Sequence, residues 1–409
     1  MTCPFVLIEP YADRLGGHHQ RTLAALAQVR PNSLVIAPHG AAPETVAALR
    51  EAGARLVTAP AGLPADVLLA ASRLAAGLSS AGQRAFRSRR WPRALRRLPH
   101  QVTLIARCLT EASALRTARR QGADAEAVAI LTASEALHGA AALLGGLPHL
   151  RFVHEAVTTE DAAVRLLDRL PRRGEKQVIT VYPTQAVGQQ FAGVFPELPA
   201  VVRAFAVDDG RRLSDAECEG GRMAFDIPDD EAVVCLVGGW WPYKDIDVID
   251  AALARLEEPL HLVVAGTPLD EAVLKRWRSL PHLRLHTVPG PIAEGVLRLV
   301  YAAADATLVA RHPGVGKESG LVMDAARLGI PLIVSDHDPA LTARLHGQPW
   351  AMTFPVGDPD ALADALHTVT RQVPGRPGPD APGLLGMHSA AAQADFLTLT
   401  FAALRTEEP

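Results

Sequence analysis

Residues 311–335 read RHPGVGKESGLVMDAARLGIPLIVS, and this stretch decides the fold. A glycine-rich, charged loop runs into a helix of small residues and then into an apolar strand. Ser319 has the side chain of a helix N-cap, and Gly320 lets other backbone approach. A helix N-terminus carries about half a positive charge and favours an anion. Arg311, His312 and Lys317 add cations beside it, and Asp324 lies one turn in, where it can accept ribose hydroxyls. The plainer reading is a capped helix with solvated charges. Glycine, cap and cations converging on one helix start point instead to an anion cradle.

Working outward, strands and helices alternate. EAVVCLVGG, PLHLVVAG, HLRLHTV, DATLVA, PLIVSD and WAMTFPV read as buried strands. IDVIDAALARL puts Ile246, Ile249, Leu253 and Leu256 on one helical face. Further helices are expected from about Asp270, near Gly295–Ala303 and after Ser319. The first half repeats the pattern with FVLIEP, SLVIAP, ARLVTAP, AVAILTA, LRFVHE and KQVITVYP, interleaved with RTLAALAQV and PETVAALREAG. Such alternation predicts parallel sheets covered on both faces, here two doubly wound units. The polar stretch 205–228 should separate them, and PGRPGPDAPG at 374–383 should break the second from a terminal helix. The expected domains are 1–207, 208–383 and a docking helix in 384–409.

Composition excludes several classes. With 48% hydrophobic and 21% charged residues and a net charge of −3, the chain reads as globular without a polyanion-binding signature, so no nucleic acid is expected. Four scattered cysteines form no CxxC pair, which argues against zinc and for reduced thiols. No apolar run reaches the ~18 residues of a spanning helix, and MTCPFVLIEP reads as a strand rather than a signal peptide. A cytoplasmic protein is expected.

Open parallel sheets bind ligands at the carboxyl ends of their strands. Four loops qualify. In EPYADRLGGHHQ, Gly16 and Gly17 precede a helix, and His18 and His19 are candidate bases; a tight turn with a solvated histidine pair is the plainer reading. In VGGWWPYKDID, Gly239 and Lys244 suit a pyrophosphate, while Trp240 and Trp241 read as packing. The third loop is the opening stretch. In LRFVHEAVTTED, His154 and Glu155 sit at a strand end, where a lone histidine is more often structural.

The blocks VGGWWPYKDIDVIDAAL, VVAGTPLDE, VYAAADATLVA, SGLVMDAARLGIPLIVSD and FPVGDPDALADAL, with the early Gly16–Gly17 pair and the terminal helix, resemble a GT-B glycosyltransferase of the retaining nucleotide-sugar family 4, glycosyl transferases group 1. The resemblance implies two Rossmann-like domains facing a central cleft, with a terminal helix returning to the first. It implies a hexosyltransferase-type enzyme that takes a nucleotide-diphosphate sugar on the second domain and a hydroxyl acceptor on the first, with no metal and no cofactor. Lys244 matches the family's pyrophosphate lysine, and Asp324 falls on its ribose-binding glutamate. Two departures follow. The slot of the family's arginine is Gly239, and Glu318 lies six residues before Asp324 where the family has a glutamate eight before. On one helix, six steps leave side chains about 120° apart, so Glu318 is expected before the helix.

In the retaining reading His154 and Glu318 shape the sugar pocket, and Lys244, Arg311, Lys317, Ser319 and Gly320 cradle the departing diphosphate. An inverting enzyme would instead use His18 or His19 as base. QRAFRSRRWPRALRR at 83–97 carries seven arginines with Phe86, Trp91 and Leu95 interleaved; it reads as a solvated basic loop or as a peripheral contact with anionic lipid at the inner membrane face. Two other functions fit the same blocks: a nucleotide-sugar epimerase, or a catalytically weak GT-B binding partner.

Overall fold

The computed structural model describes residues 4–15, 17–86, 91–122, 124–155, 174, 177–192 and 200–406, with backbone alone at 93 and 94. The chain forms two compact units. Unit 1 takes the residues up to Arg14, His19–Phe205 and Ala390 onward; unit 2 takes Leu15–His18 and Ala206–Ser389.

Unit 1 is built on a parallel sheet of β1 (Phe5–Ile8), β2 (Leu34–Ile36), β3 (Arg55–Val57), β4 (Ala127–Ile130), β5 (His149–Phe152), β6 (Val178–Tyr182) and β7 (Ala200–Val202). The spatial order is β3-β2-β1-β4-β5-β6-β7. All residues of β1 and β4 are buried, as strands covered on both faces require. The strand order reverses direction between β1 and β4, the crevice where such sheets bind ligands. The terminal helix Ala390–Thr406 belongs here: Ala394, Leu397, Phe401 and Leu404 join the core around Phe5, Leu7 and Phe152. Arg203 fixes it by donating to the Gln393 side chain at 2.9 Å, and Arg30 pairs with Asp395 at 2.7 Å.

Four more helices of unit 1 precede β4: α1 (His18–Val29), α2 (Pro43–Glu51), α3 (Leu63–Ala85) and α4 (Arg93–Gln121); α5 (His138–Gly145) follows it. The long α3–α4 pair replaces the basic loop expected at 83–97. Residues 83–85 close α3, residues 93–97 open α4, and 87–90 lie outside the described residues. Alanine, leucine and arginine are strong helix formers, and this propensity overrides the turn reading. A seam of small hydroxyl side chains lets the helices approach. Ser72 Oγ lies 2.6 Å from Thr110 Oγ1 and donates to Ala106 O at 2.7 Å, and Ser79 does the same with Thr103 and Pro99.

Unit 2 holds a parallel six-stranded sheet of β9 (Val233–Val237), β10 (Leu260–Gly266), β11 (Leu283–Pro289), β12 (Ala306–Val309), β13 (Leu332–Ser335) and β14 (Ala351–Phe354). Its order, β11-β10-β9-β12-β13-β14, reverses between β9 and β12. The stretch 205–228 is less bare than its polarity implied. It contains β8 (Val207–Asp208), paired with β15 (His388–Ser389), and helix Asp215–Ala224, started by a capping box of Ser214 and Glu217. On helix Ile246–Leu253, Ile249 and Leu253 are fully buried as the spacing predicted; Leu256 is buried just beyond its end.

Candidate functional site

The residues of the opening stretch and of the 237–247 loop meet at the β9–β12 reversal of unit 2. Strand β9 ends in Gly238 and Gly239, β12 runs into Arg311, and the backbones of Lys244 and Arg311 face each other in an antiparallel bridge. Ser319 caps helix Gly320–Leu328 as expected, its side chain accepting from Val322 N. Arg311 is 4% exposed and donates to Ser319 Oγ at 2.9 Å and Lys317 O at 3.2 Å. Lys244 is 9% exposed, with Nζ donating to Val237 O at 2.6 Å and Gly238 O at 3.0 Å. Neither cation forms an ion pair with a carboxylate among the described residues. Burial, then the neighbouring Arg311, pulls the Lys244 ammonium down to about 7, and burial lowers Arg311 as well. Two buried, adjacent and unneutralised cations beside a helix N-terminus are costly by themselves and favour an anion. Lys317 completes the group, its ammonium 3.9 Å from the centre of the Tyr243 ring. Tyr243 was not foreseen, since nothing in WWPYKD separates it from its aromatic neighbours.

Gly239 has a packing reason. A Cβ there would stand 2.0 Å from the Thr267 carbonyl oxygen, so this slot holds no side chain, and Arg311 is the second cation beside Lys244. Gly238, at φ +83°, lets the backbone turn under the lysine. Trp240 packs against Trp277 with ring centres 5.3 Å apart, whereas Trp241 is 49% exposed, not packed as expected.

Glu318 precedes the helix. Its side chain is 1% exposed and accepts from Ala206 N at 3.2 Å, with His18 Nε2 at 4.0 Å. Gly320 makes that approach possible, because a Cβ there would come within 2.4 Å of His18 Nδ1. Asp324 is 4% exposed and engaged inside the unit, 3.4 Å from both Arg327 and the Tyr301 hydroxyl. The structure thus groups Lys244, Arg311, Lys317, Ser319 and Gly320, and sets Asp324 one turn deeper against the core.

Unit 1 carries a second polar group where β1, β4 and β5 end. Glu9 is fully buried; its carboxyl accepts from Tyr11 N at 2.9 Å and from the Thr132 hydroxyl at 2.7 Å. Thr132 Oγ1 lies 3.1 Å from His19 Nδ1, and the His19 and His154 rings meet edge-on at 4.5 Å. His154 Nε2 bonds Leu131 O at 2.9 Å. Burial raises Glu9 to about 7, so this carboxyl exchanges its proton near neutrality. Sequence reading missed Glu9 and Thr132; the signal was a carboxylate directly after the apolar FVLI. Gly17, at φ +99°, makes the turn into α1, while Gly16 and residues 156–161 lie outside the described residues.

A family model described as glycosyl transferases group 1 matches residues 231–372. They hold Lys244, Arg311 and the Ser319 helix start. The whole chain also resembles solved GT-B structures. Anabaena HepE in complex with UDP-glucose aligns at a TM-score of 0.64 and 12% identity, covering 98% of this chain and 99% of that one. A glycosyltransferase from Rickettsia africae gives 0.64 and 11% over 100% of both chains. A UDP-forming α,α-trehalose-phosphate synthase from Burkholderia xenovorans, in complex with glucose-6-phosphate, gives 0.60 and 11%, covering 98% and 100%. No curated protein matches the sequence. The two Rossmann-like units and the GT-B fold expected from the sequence are therefore present.

Proposed function

We propose that the protein is a retaining, metal-independent glycosyltransferase that takes a nucleotide-diphosphate sugar on unit 2 and transfers the sugar to a hydroxyl acceptor. The observation that carries this reading is the pair Lys244 and Arg311, buried without a carboxylate at the β9–β12 reversal, beside the start of helix Gly320–Leu328. As the glycosidic bond breaks, negative charge grows on the departing diphosphate. Preorganised cations and backbone N–H groups in a dry site stabilise that charge, and two fixed cations can do there what a divalent ion does elsewhere. Glu318 and His18, 4.0 Å apart, are assigned to the sugar pocket, with Gly320 holding them close. Asp324 is assigned to the ribose, with Arg327 and Tyr301 bracing it. Gly17 and Gly239 are assigned to shaping unit 2, and His154 to the polar group of unit 1.

A contact with anionic lipid is part of the same proposal, now carried by more than the arginines. Leu63, Val67, Leu74 and Leu78 of α3 are 57–76% exposed. At 3.6 residues per turn they fall within about 60° of one another. Trp91, Leu98 and Ile105 are also exposed, as are Arg84, Arg96 and Arg97. No helix among the described residues is long and apolar enough to cross a membrane.

The test is calorimetric titration with UDP, GDP, dTDP and ADP on the wild type and on Lys244→Ala. Binding of one nucleotide, weakened tenfold or more by the substitution, is the expected result. Binding of none would end the transferase reading and leave a GT-B protein acting through a partner. Donor turnover with no acceptor product would favour an epimerase.

A further inference from the structure

A cavity in unit 1 lies at the carboxyl ends of β1, β2 and β4, under the α3–α4 pair. Its volume is about 410 Å³, within the ~300–1,000 Å³ typical of small-molecule sites. Tyr11 and His39 come from the loops after β1 and β2, Arg73 from α3, and Arg107, Thr110 and Glu111 from α4.

The polar groups fall into two kinds. Arg73 is exposed and forms no ion pair among the described residues, and it bears on His39, whose proton affinity falls mainly through burial, with Asp13 raising it and Arg73 lowering it. Arg107 also lines the cavity and pairs with Glu135 at 3.3 Å. Opposite in chemistry is Glu111, buried and fixed from behind: Ser134 N donates to it at 2.5 Å, and the fully buried Arg151 pairs with it at 3.0 Å. A carboxylate with its charge already balanced repels an anion little, and it accepts well from hydroxyls. Thr110 and Tyr11 add hydroxyls, and Thr132, also lining the cavity, leads to Glu9. Arg73 is thus the cation left for an anion, with Arg107, already paired with Glu135, also lining the cavity, and the carboxylate and hydroxyls are the groups left for a polyol.

We propose that this cavity is the acceptor site and that its ligand is a phosphorylated polyol, with its phosphate on Arg73 and Arg107 and its hydroxyls on Glu111 and Thr110. The word acceptor rests on the transferase reading above; the ligand chemistry does not. A free sugar phosphate and the headgroup of a phospholipid share this chemistry, and the test separates them.

The protein is titrated by calorimetry with sn-glycerol 3-phosphate, glucose 6-phosphate, glycerol and glucose, and by flotation with phosphatidylglycerol–phosphatidylcholine vesicles. Wild type, Arg73→Ala and Arg73→Lys are compared, with UDP titrated into each. The expected result is binding of a soluble phosphate at least tenfold tighter than its neutral parent, weakened tenfold by Arg73→Ala and largely kept by Arg73→Lys. If only vesicles bind, and Arg73→Ala abolishes it, the phosphate is a lipid headgroup and the proposal stands. Equal affinity for phosphorylated and neutral polyols, or binding of either source unchanged by Arg73→Ala, overturns it. Unchanged UDP binding in the variants separates this failure from failure of the donor site, which would show as loss of UDP binding in the wild type.

Discussion

Nucleotide binding at Lys244 should draw a proton from solution. Burial and Arg311 leave the lysine at about 7, against ~10.4 for an exposed side chain. At pH 8 about nine-tenths of these lysines are neutral before the ligand arrives. A diphosphate beside Nζ favours the ammonium and restores its affinity for the proton. Each UDP bound at pH 8 should therefore bring about 0.9 proton with it. Affinity should fall about tenfold, or ~1.4 kcal/mol, for each pH unit above 7 until the bound-state value is passed. The assay is calorimetric titration of UDP at pH 8 in two buffers of different ionisation enthalpy, with Lys244→Met as control. UDP is fully ionised there, so the uptake belongs to the protein. The same argument fixes a stability trend for the free protein. The unfolded lysine binds more protons between about pH 7 and 10, so this group adds stability as pH rises through that window. UDP binding with zero proton uptake, or with equal uptake in Lys244→Met, refutes the reasoning.

Other consequences are simpler to read. Gly239→Arg, which restores the family's residue, should lower stability by about 3 kcal/mol or more, because its Cβ meets the Thr267 carbonyl; thermal melting checks it. Gly320→Ala should push His18 off Glu318 and cut turnover at least tenfold while leaving UDP affinity within a few-fold, as steady-state kinetics and calorimetry would show together. Glu318→Gln keeps an acceptor for Ala206 N, so melting should shift little while turnover falls tenfold or more; a large melting shift with normal turnover would make the carboxylate structural. Leu74→Glu with Leu78→Glu should reduce flotation on anionic vesicles without changing UDP binding, and flotation indifferent to anionic lipid would remove the membrane contact.

Much of this was legible in the chain because local signals agreed. Ser319, a good cap, begins its helix, and the apolar runs ending at Val237 and Val309 became strands whose loops bring Lys244 and Arg311 face to face. Legibility failed where tertiary packing decided. Nothing in VGG tells that Gly239 lies against Thr267, or that an arginine some seventy residues later supplies the neighbouring charge. The α3–α4 pair hid behind its arginines, because the small-residue seam that fastens it reads as ordinary alanine and serine. Glu111 and Arg151 were invisible for the same reason: each is a lone charge in sequence and a pair only in the fold.

The terminal helix sets an order on how the protein comes into being. Unit 1 lacks Ala394, Leu397, Phe401 and Leu404 until residues 390–406 are made, yet its sheet strands are made before unit 2. Residues 206–389, which complete unit 2, are synthesised in between. At ~5–20 residues per second that interval lasts on the order of ten to forty seconds. Throughout it, the flank of the first sheet that awaits Phe401 stays uncovered on the ribosome, and the unit begun first is finished after the second.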